Sequence, residues 1–430
     1  MKKRIIAVLM CALMVVSLAA GCGQKGGSGS NGNVTLKWAI WDESSTQYWG
    51  DIKKAYEAAH EGVTIEMVDL GSTDYMTVLA TELSGSGSEF DVVTIKDVPG
   101  YATLVQKNAI VALDDYIKKD KVDLKKFAGA TDQVVVDGKL YELPFRNDFW
   151  VIFYNKDIFD RAGVAYPTND MTWDQYDALA RKVTDTTFGK QVYGTHYHTW
   201  RSTVQLCAML DGKHTILDGN YDFVKPIYKM VLNQEKDGVC RKYADLKTEG
   251  LHYSAAFSGG DVAMMNQGSW FISTLITNIK KGDYDAKLCG NWGLCKYPHA
   301  DGVEAGSTLG TITGLSITSA SKNKDAAWDF VNWVSGADGA AVMASSGNFP
   351  ACMTADVKKA ITSIEGFPQD QQSKDALDVS NLYLEVPYGD HVSEINSVLD
   401  SYHGSIMTGE LTIDEGVKKM NDEVAKILGK

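Results

Sequence analysis

The sequence predicts an α/β protein in which strands and helices alternate along the chain. Three runs rich in β-branched and aromatic residues, Val34–Trp41, Val63–Val68 and Phe90–Ile95, are each followed by a stretch with helical character. The chain has 430 residues, of which 44% are hydrophobic, so it has enough apolar material for packed cores and enough length for two or three domains. This composition excludes a disordered or low-complexity chain.

The helices expected after these three strands span Gln47–His60, Asp74–Ser84 and Tyr101–Lys107. Alternation of strand and helix is typical of a largely parallel sheet, because parallel neighbours need a crossover connection. Such sheets place their binding sites beyond the carboxyl ends of the strands. Here those ends carry Trp41-Asp42-Glu43 and Lys96-Asp97, so this edge is a candidate binding region.

A second group of elements begins near Pro144. Trp150–Tyr154 has a strong strand pattern, and Thr172 with Gln175 forms the capping-box signature of a helix amino terminus. The remaining expected elements are strands at Val262–Met265 and Leu315–Thr318 and a helix at Asp325–Val334. The second half of the chain is therefore expected to be α/β as well.

The amino terminus has the pattern of a secretory leader. A cationic start is followed by the apolar run Ile5–Ala20, which is too short to cross a bilayer comfortably. The run ends in Leu18–Cys22, which resembles the lipobox of bacterial lipoproteins. We therefore expect residues 1–21 to be a signal peptide, Cys22 to carry lipid, and residues 22–33 to be a Gly/Ser-rich tether.

The charge balance is acidic. The chain has 55 Asp and Glu against 42 Lys and Arg, which gives a net charge of −13. Loss of the three positive charges of the leader lowers this value to −16. Such a field repels a phosphate backbone, so nucleic acid is not an expected partner.

Five cysteines lie beyond the leader and Cys22, and no CxxC motif is present. An odd number cannot pair completely, and the spacing supports neither a zinc knuckle nor a redox motif. Free buried thiols and a bridge between Cys289 and Cys295 are both open. The five are Cys207, Cys240, Cys289, Cys295 and Cys352.

Four motifs follow one another along the chain. They are Gly138–Pro144, Phe153–Phe159 with Thr172-Trp173, Phe257–Met265 with Gly268-Ser269-Trp270, and Ser321–Trp328. Together they resemble the signature of the bacterial family 1 extracellular solute-binding proteins, over nearly the whole chain after the leader. The resemblance implies a two-lobed, periplasmic-binding-protein-like fold of type II. Each lobe would be a mixed sheet flanked by helices.

The resemblance also implies how the chain divides between the lobes. The hinge would be crossed several times, near Pro144, Pro298 and Pro350, where proline favours extended backbone. A ligand would lie in the cleft between the lobes. The expected ranges are 34–144 plus 300–346 for the first lobe and 147–297 plus 351–430 for the second.

Candidate ligand residues follow from the same resemblance. A sugar needs aromatic platforms for its CH faces and planar polar groups for its hydroxyls. Trp270 stands where relatives place a tryptophan that stacks on sugar, although a core role is the alternative. Trp41, Asp42 and Glu43 follow the first strand, and Asp97 follows the third as either a ligand carboxylate or a turn residue.

The second group of elements supplies further candidates. Arg146 and Asp148 are two residues apart and therefore share one strand face. Asp148 matches an acidic sugar ligand of relatives, and a surface ion pair is the alternative reading. Tyr197, His198 and Trp200 lie in a segment similar to an aromatic sugar-contact segment of the family.

Two more candidates complete the expected site. Ser307 lies in the small-residue loop Gly306–Gly310, where the backbone can approach a ligand closely, and Tyr388 lies near the carboxyl terminus. His196 and His198 alternate, but two side chains are too few for a zinc site. We therefore expect no metal, no cofactor and no catalytic residue.

The resemblance implies a monomeric receptor that closes over a carbohydrate, expected to be an oligosaccharide, and delivers it to the permease of an ABC importer. Lipid on Cys22 would hold it at the extracellular face of the cytoplasmic membrane, in a Gram-positive-type bacterium. One alternative is an extracellular glycosidase with two carboxylates, although no familiar catalytic motif is present. Another is a ligand-sensing lipoprotein that works with a receptor.

Overall fold

The structure is a computed structural model. It describes residues 33–430 except residues 45, 72–73, 86–88, 128 and 185–190. The expected signal peptide, the lipidated Cys22 and all of the tether except Asn33 lie outside the described residues. No helix in the part of the chain that the structure describes is long and apolar enough to cross a membrane.

The described residues form ten strands and eighteen α-helices. The strands are β1 (Val34–Ile40), β2 (Val63–Asp69), β3 (Val92–Ile95), β4 (Val135–Val136), β5 (Lys139–Leu140), β6 (Leu143–Asn155), β7 (Met264–Gly268), β8 (Trp292–Lys296), β9 (Ser307–Ile317) and β10 (Asn381–Leu384). Short 3-10 helices lie at Leu124–Phe127, Thr131–Val134, Leu206–Ala208 and Asp222–Val224.

The helices cover the faces and ends of the sheet. They are α1 (Gln47–Ala59), α2 (Tyr75–Ser84), α3 (Val98–Gln106), α4 (Asp114–Asp120), α5 (Lys156–Ala162), α6 (Trp173–Val183), α7 (Ser202–Gln205), α8 (Lys225–Lys236), α9 (Tyr243–Glu249), α10 (Tyr253–Ser258), α11 (Trp270–Lys281), α12 (Ala286–Cys289), α13 (Lys324–Ser335), α14 (Ala337–Ser345), α15 (Ala355–Thr362), α16 (Gln371–Asp375), α17 (Val392–Met407) and α18 (Ile413–Ile427).

One mixed sheet runs through the described residues in the order β2-β1-β3-β9-β6-β7, with β10 paired to β9 and β8 paired to β6. Strand β1 is parallel to both β2 and β3, as the alternation of strands and helices predicts. Strand β9 then enters antiparallel beside β3, so the largely parallel expectation holds for the first three strands and for the pair of β9 and β10. We call the end around β1–β3 the first lobe and the end around β7 and β8 the second lobe.

Strand β6 joins the two lobes. The sequence predicts only Trp150–Tyr154, whereas the strand has 13 residues. Its first half pairs with β9, and its second half, from Trp150, pairs with β7 and β8. The segment before α15 also lies beside β6, since Asn147 N donates to Phe349 O at 3.1 Å and Ala351 N donates to Phe145 O at 2.9 Å.

The second half of β6 is buried on both faces. Phe153 stacks near Phe271 and Trp292 on one face, at ring distances of 5.0 and 5.9 Å. Its neighbour Tyr154 points to the other face and contacts Phe159 at 5.9 Å. This alternation explains why the sequence shows an uninterrupted apolar run here.

The first lobe is built around Trp38 of β1. Its ring meets Trp49 of α1 at 5.2 Å and Phe330 of α13 at 5.1 Å, so a helix from late in the chain completes this core. In the second lobe, the predicted capping box of α6 is present, with both hydrogen bonds between Thr172 and Gln175 formed.

The predicted strand Val262–Met265 is shifted. Strand β7 begins at Met264, because Val262 forms an isolated bridge with Tyr193 instead of pairing with β6. The strand extends to Gly268, so that only Ser269 lies between it and the helix that begins with Trp270.

Candidate functional site

Trp270 is placed by a tight strand-to-helix turn. The backbone N–H of Ser269 donates to Phe149 O of β6 at 2.8 Å, which anchors the turn. A Cβ atom at Gly268 would lie 2.0 Å from the Trp270 ring, so only glycine lets the indole fold back over the strand end. Trp270 Nε1 donates to Tyr253 Oη at 3.2 Å, which fixes the orientation of the ring.

An aromatic wall, which we define as His198, Trp200, Tyr253 and Trp270, surrounds this indole. The Trp200 ring lies 6.4 Å from Trp270 and 5.5 Å from Tyr253, and His198 meets Trp200 edge-on at 4.5 Å. Trp200 is 38% exposed, which is unusual for a tryptophan in a packed neighbourhood. The wall therefore offers apolar ring surface to solvent.

His198 is kept uncharged within this wall. Desolvation, with smaller contributions from His252 and Lys247, lowers the pKa of its imidazole to about 4. The pKa of His196 is lowered further, to about 3, mainly by desolvation. Their rings are 6.5 Å apart, and within the described residues no group of three metal-ligating side chains comes together.

A cavity of about 330 Å³, which we call the Trp200 chamber, opens between Trp200 and Trp270. Arg201 and Glu385 line it and supply charges of opposite sign. Arg201 is buried, with Nε donating to Asn396 Oδ1 at 3.0 Å. Desolvation raises the pKa of the Glu385 carboxyl, while Arg201 acts in the opposite direction.

Trp150 completes the Trp200 chamber. Its ring meets Trp270 edge-on at 5.8 Å, and its side chain is almost fully buried. A hydrogen bond joins the Trp150 side chain to the Glu385 carboxyl. Trp150 therefore helps to hold Glu385 in the wall of the chamber.

A second cavity, of about 420 Å³, lies on the other side of Trp270. We call it the α11 chamber, because that helix forms one wall while Tyr48 and Arg146 form the other. Arg146 Nη1 donates to Tyr48 Oη at 3.2 Å. Trp270 therefore lines both cavities, and side chains of both lobes line the second one.

Arg146 and Asp148 form an ion pair with Nε to Oδ2 at 3.2 Å. The Asp148 side chain is only 4% exposed, so this is not the exposed surface pair considered from the sequence. Ser269 Oγ donates to the other carboxylate oxygen at 3.0 Å. The carboxylate thus links β6 to the turn that carries Trp270.

The edge of the first lobe carries charges. We define the charged edge as Asp42, Lys96 and Asp97, which follow β1 and β3. Lys96 Nζ lies 5.3 Å from the centre of the Trp41 ring, and desolvation lowers its pKa while Asp42 and Asp97 oppose that shift. The Asp69 carboxylate accepts from the Asp42 and Glu43 amides at 3.0 and 2.8 Å and so fixes this loop.

Asp97 also has a structural role at the start of α3. Its carboxylate accepts from Gly100 N at 2.7 Å and caps α3, as expected for a residue at a turn. The residue is exposed, yet the crowding of protein atoms around it desolvates the carboxyl and raises its pKa.

Five further expected site residues lie outside the two chambers and the aromatic wall. Trp41 is buried against Trp49 and Tyr75 in the first-lobe core. Tyr197 is buried in the second-lobe core, and Ser307 is buried on β9, where its Oγ accepts from Asn381. Tyr388 lines a different cavity, of about 300 Å³, and Glu43 is exposed in its loop.

Several residues of the two chambers are not among those expected from the sequence. Arg201 directly follows Trp200, so its position next to a candidate is the one signal that could have pointed to it. Glu385 comes from the segment after β10 and carries no motif. The residues in this group are Tyr48, Trp150, Arg201 and Glu385. Tyr253, which bonds to Trp270 in the aromatic wall, is not among the expected residues either.

The cysteines take no part in this site. All five described cysteines are free and buried, so the possible bridge between Cys289 and Cys295 is absent. Burial raises the pKa of Cys289 to about 11, which keeps its thiol protonated and unreactive.

Residues 41–341 match the family model described as bacterial extracellular solute-binding protein. A solved structure described as a sugar transporter from Rhizobium etli in an open conformation is 48% identical, with a TM-score of 0.86. It covers 91% of this chain and 99% of its own. The lactose-binding protein of Rhizobium radiobacter is 24% identical, over 99% of this chain and 98% of its own.

The arabinooligosaccharide-binding protein of Bacillus subtilis is 23% identical, over 79% of this chain and 77% of its own. These relatives are binding proteins, and the family is not one of enzymes. The match to the family model covers more than half of the chain, and the mixed sheet with two lobes is the fold of its structural relatives. The chain therefore belongs to the bacterial extracellular solute-binding protein family.

Proposed function

We propose that this protein captures a carbohydrate, and specifically an oligosaccharide, for an ABC importer. The observation that carries the proposal is Trp270, a half-buried indole held between two cavities by Gly268 and Tyr253. The relatives named as lactose-binding and arabinooligosaccharide-binding support the same class of ligand.

The aromatic wall supports a sugar because sugar rings have apolar CH faces. A flat indole covers such a face and removes apolar area from water on both partners. Trp200 and Trp270 offer two rings 6.4 Å apart at an angle of 56°, which suits successive rings of a bent chain better than one flat aromatic ligand.

The polar groups of the Trp200 chamber fit sugar hydroxyls. Arg201 donates hydrogen bonds, the Glu385 carboxyl accepts them, and Trp150 lies beside them and bonds to Glu385. Bonds to charged groups are the stronger ones, so a ligand that lacks these hydroxyls would leave buried groups unpaired. We propose Arg146, Trp200 and Trp270, with these three, as the main ligand contacts.

Closure of the lobes would couple binding to transport. Residues of both lobes line the α11 chamber, so a ligand that contacts both walls stabilises the closed form. We propose that the lobes follow the ranges 34–144 plus 300–346 and 147–297 plus 351–430. The closed form would then deliver the ligand to the permease.

We also propose that Cys22 anchors the protein to the extracellular face of the membrane, as a monomer. The supporting observation is the sequence Leu18–Cys22 at the end of an apolar leader. Two acyl chains are enough for stable anchoring. A Cys22→Ser variant should then appear in the culture medium, whereas retention of this variant in the membrane fraction would contradict the anchor.

Thermal unfolding in the presence of an oligosaccharide panel tests the main proposal. The full chain is purified in a detergent without a sugar headgroup, because such a headgroup would compete for the site. A ligand at about 100 times its dissociation constant stabilises the folded state by about 2.7 kcal/mol, so a cognate oligosaccharide should raise the melting temperature clearly. Absence of any shift with the whole panel would contradict the proposal, as would release of shortened products.

A further inference from the structure

The α11 chamber differs in chemistry from the Trp200 chamber. In the Trp200 chamber, Arg201 is accompanied by the acidic residues Glu385 and Asp400. The described residues that line the α11 chamber include Arg146 and Lys281 but no Asp or Glu. One cavity thus has charges of both signs, while the other has cationic side chains and neutral polar groups.

One face of α11 supplies much of this lining. Trp270, Ser273, Thr277 and Lys281 recur every three or four residues, so they follow one another along the same side of the helix. The Ser273 hydroxyl donates to Trp270 O at 3.2 Å within the helix. The Thr274 hydroxyl donates to the same oxygen at 3.3 Å, so the side-chain donors that α11 offers to a ligand are those of Thr277, Asn278 and Lys281.

The opposite wall positions Arg146. Its guanidinium has five N–H donors, of which Nη1 bonds to Tyr48 Oη. Nε lies 3.2 Å from Asp148 Oδ2 but without hydrogen-bond geometry. Arg146 and Asp148 are therefore not joined by two parallel hydrogen bonds. Asp148 itself is buried, accepts from Ser269 and is not among the lining residues.

The floor of the chamber is fixed. Gly347 has a φ of +77°, and a Cβ atom there would lie 3.2 Å from Ser273 Cβ. The loop with Ser346 and Asn348 is therefore held close against α11. The chamber is therefore bounded by α11 on one side and by this loop on another.

We propose that the α11 chamber takes an anionic substituent, a carboxylate or a phosphate, of the same ligand whose neutral ring stacks on Trp270. This inference rests on the proposed function and makes its ligand an acidic oligosaccharide, such as one with a uronic acid unit. The net charge of −13 repels anions in general, so a preference for an acidic sugar has to come from this local site.

Ligand capture from a mixed pool tests the proposal. Oligosaccharides released from uronate-rich plant polysaccharides are divided, and the carboxyl groups of one half are reduced to alcohols. The full chain, in sugar-free detergent, is incubated with both halves together, and the retained molecules are identified by mass spectrometry. We expect at least tenfold enrichment of the acidic molecules, because a hydrogen bond to a charged group is among the stronger ones. A parallel pool of phosphorylated oligosaccharides distinguishes phosphate from carboxylate.

Lys281 and its neighbour provide a matched pair of variants. Lys281→Gln should lower the affinity for the captured acidic ligand about tenfold, and that for its reduced counterpart much less. Lys280→Gln is the control, since both lysines are exposed but Lys280 pairs with Glu365 at 3.2 Å and does not line the chamber. The preference for the acidic ligand over its reduced counterpart should also weaken at 0.5 M salt, because the screening length there is roughly 4 Å.

The outcomes separate the two proposals. Equal or preferential capture of the reduced, neutral molecules would overturn the acidic ligand while leaving an oligosaccharide receptor intact. Equal losses in the Lys280 and Lys281 variants would overturn the chamber as the source of the preference. Capture of no oligosaccharide from either half would overturn the proposed function, and the acidic ligand with it.

Discussion

The aromatic wall and the charged edge differ in how their side chains are engaged. The wall rings contact one another and leave ring surface uncovered, with Trp200 38% exposed. The edge is already internally compensated, since Lys96 lies close to both Asp42 and Asp97. One side therefore has unused contact surface, whereas the other has charges that largely satisfy each other.

This difference predicts where binding free energy comes from. Covering an aromatic ring removes apolar surface from water, and each Å² removed contributes about 25 cal/mol to the free energy of binding. Exposed charge pairs contribute only about 0 to 1 kcal/mol each, because water screens them. The wall should therefore contribute most of the binding free energy. Truncation of its rings is the most direct test of this difference between the wall and the edge.

Trp270→Ala should have the largest effect. The indole faces both chambers, so its loss removes stacking surface on two sides and should weaken oligosaccharide binding about 100-fold or more, equivalent to about 2.7 kcal/mol. Isothermal titration calorimetry with the oligosaccharide selected by the thermal panel measures the change. Circular dichroism and urea unfolding show whether the fold is retained.

Trp333→Ala is the matched control for this change. Trp333 lies on α13 in the first lobe, where its ring meets Tyr56 at 5.4 Å, and it lines neither chamber. Its loss should affect stability and leave affinity within about twofold, a difference of roughly 0.4 kcal/mol. Equal losses of affinity in both variants would contradict the assignment of Trp270 to the site.

Trp200→Ala should have a smaller effect, of about tenfold in affinity, which is equivalent to about 1.4 kcal/mol. Trp200 lines only one chamber, and its exposed part is already in contact with water. The cost in stability should be small for the same reason. Titration calorimetry of this variant ranks the two rings, and a loss larger than that of Trp270→Ala would reverse the proposed order.

Whether the sequence predicts a feature depends on how far apart along the chain the contacting residues lie. The strands β1–β3 and the α6 capping box follow from local patterns, and the structure has all of them. The length of β6 does not follow, because its first half is a strand only through pairing with β9, more than 150 residues later. The antiparallel entry of β9 was missed for the same reason.

The sequence also does not predict the direction in which a side chain points. Trp41 and Trp200 are both tryptophans next to polar residues, yet Trp41 turns into a core and Trp200 turns to solvent. The difference arises from neighbours distant in sequence, such as Tyr75 for Trp41 and Trp270 for Trp200. Glu385 was missed because a single carboxylate without a motif cannot be told apart from many others.

The pH dependence of stability tests whether the wall is uncharged. The His198 pKa is about 4 in the folded protein and about 6.5 in an unfolded chain. Between these values the unfolded state binds a proton that the folded state does not, so the free energy of unfolding falls as the pH drops. The contribution is complete above pH 6.5 and is lost by about 1.4 kcal/mol per pH unit toward pH 4.

His198→Gln should reduce this slope, because glutamine does not titrate. His196, with a pKa of about 3, acts in the same direction and leaves a remaining slope in the variant. His391→Asn is the control, since His391 is exposed outside the wall and asparagine tolerates its φ of +57°. Urea unfolding between pH 7.5 and pH 4 measures all three proteins. An unchanged slope in His198→Gln would mean that the imidazole is solvated in the folded state, and the contrast between an uncharged wall and a charged edge would then be lost.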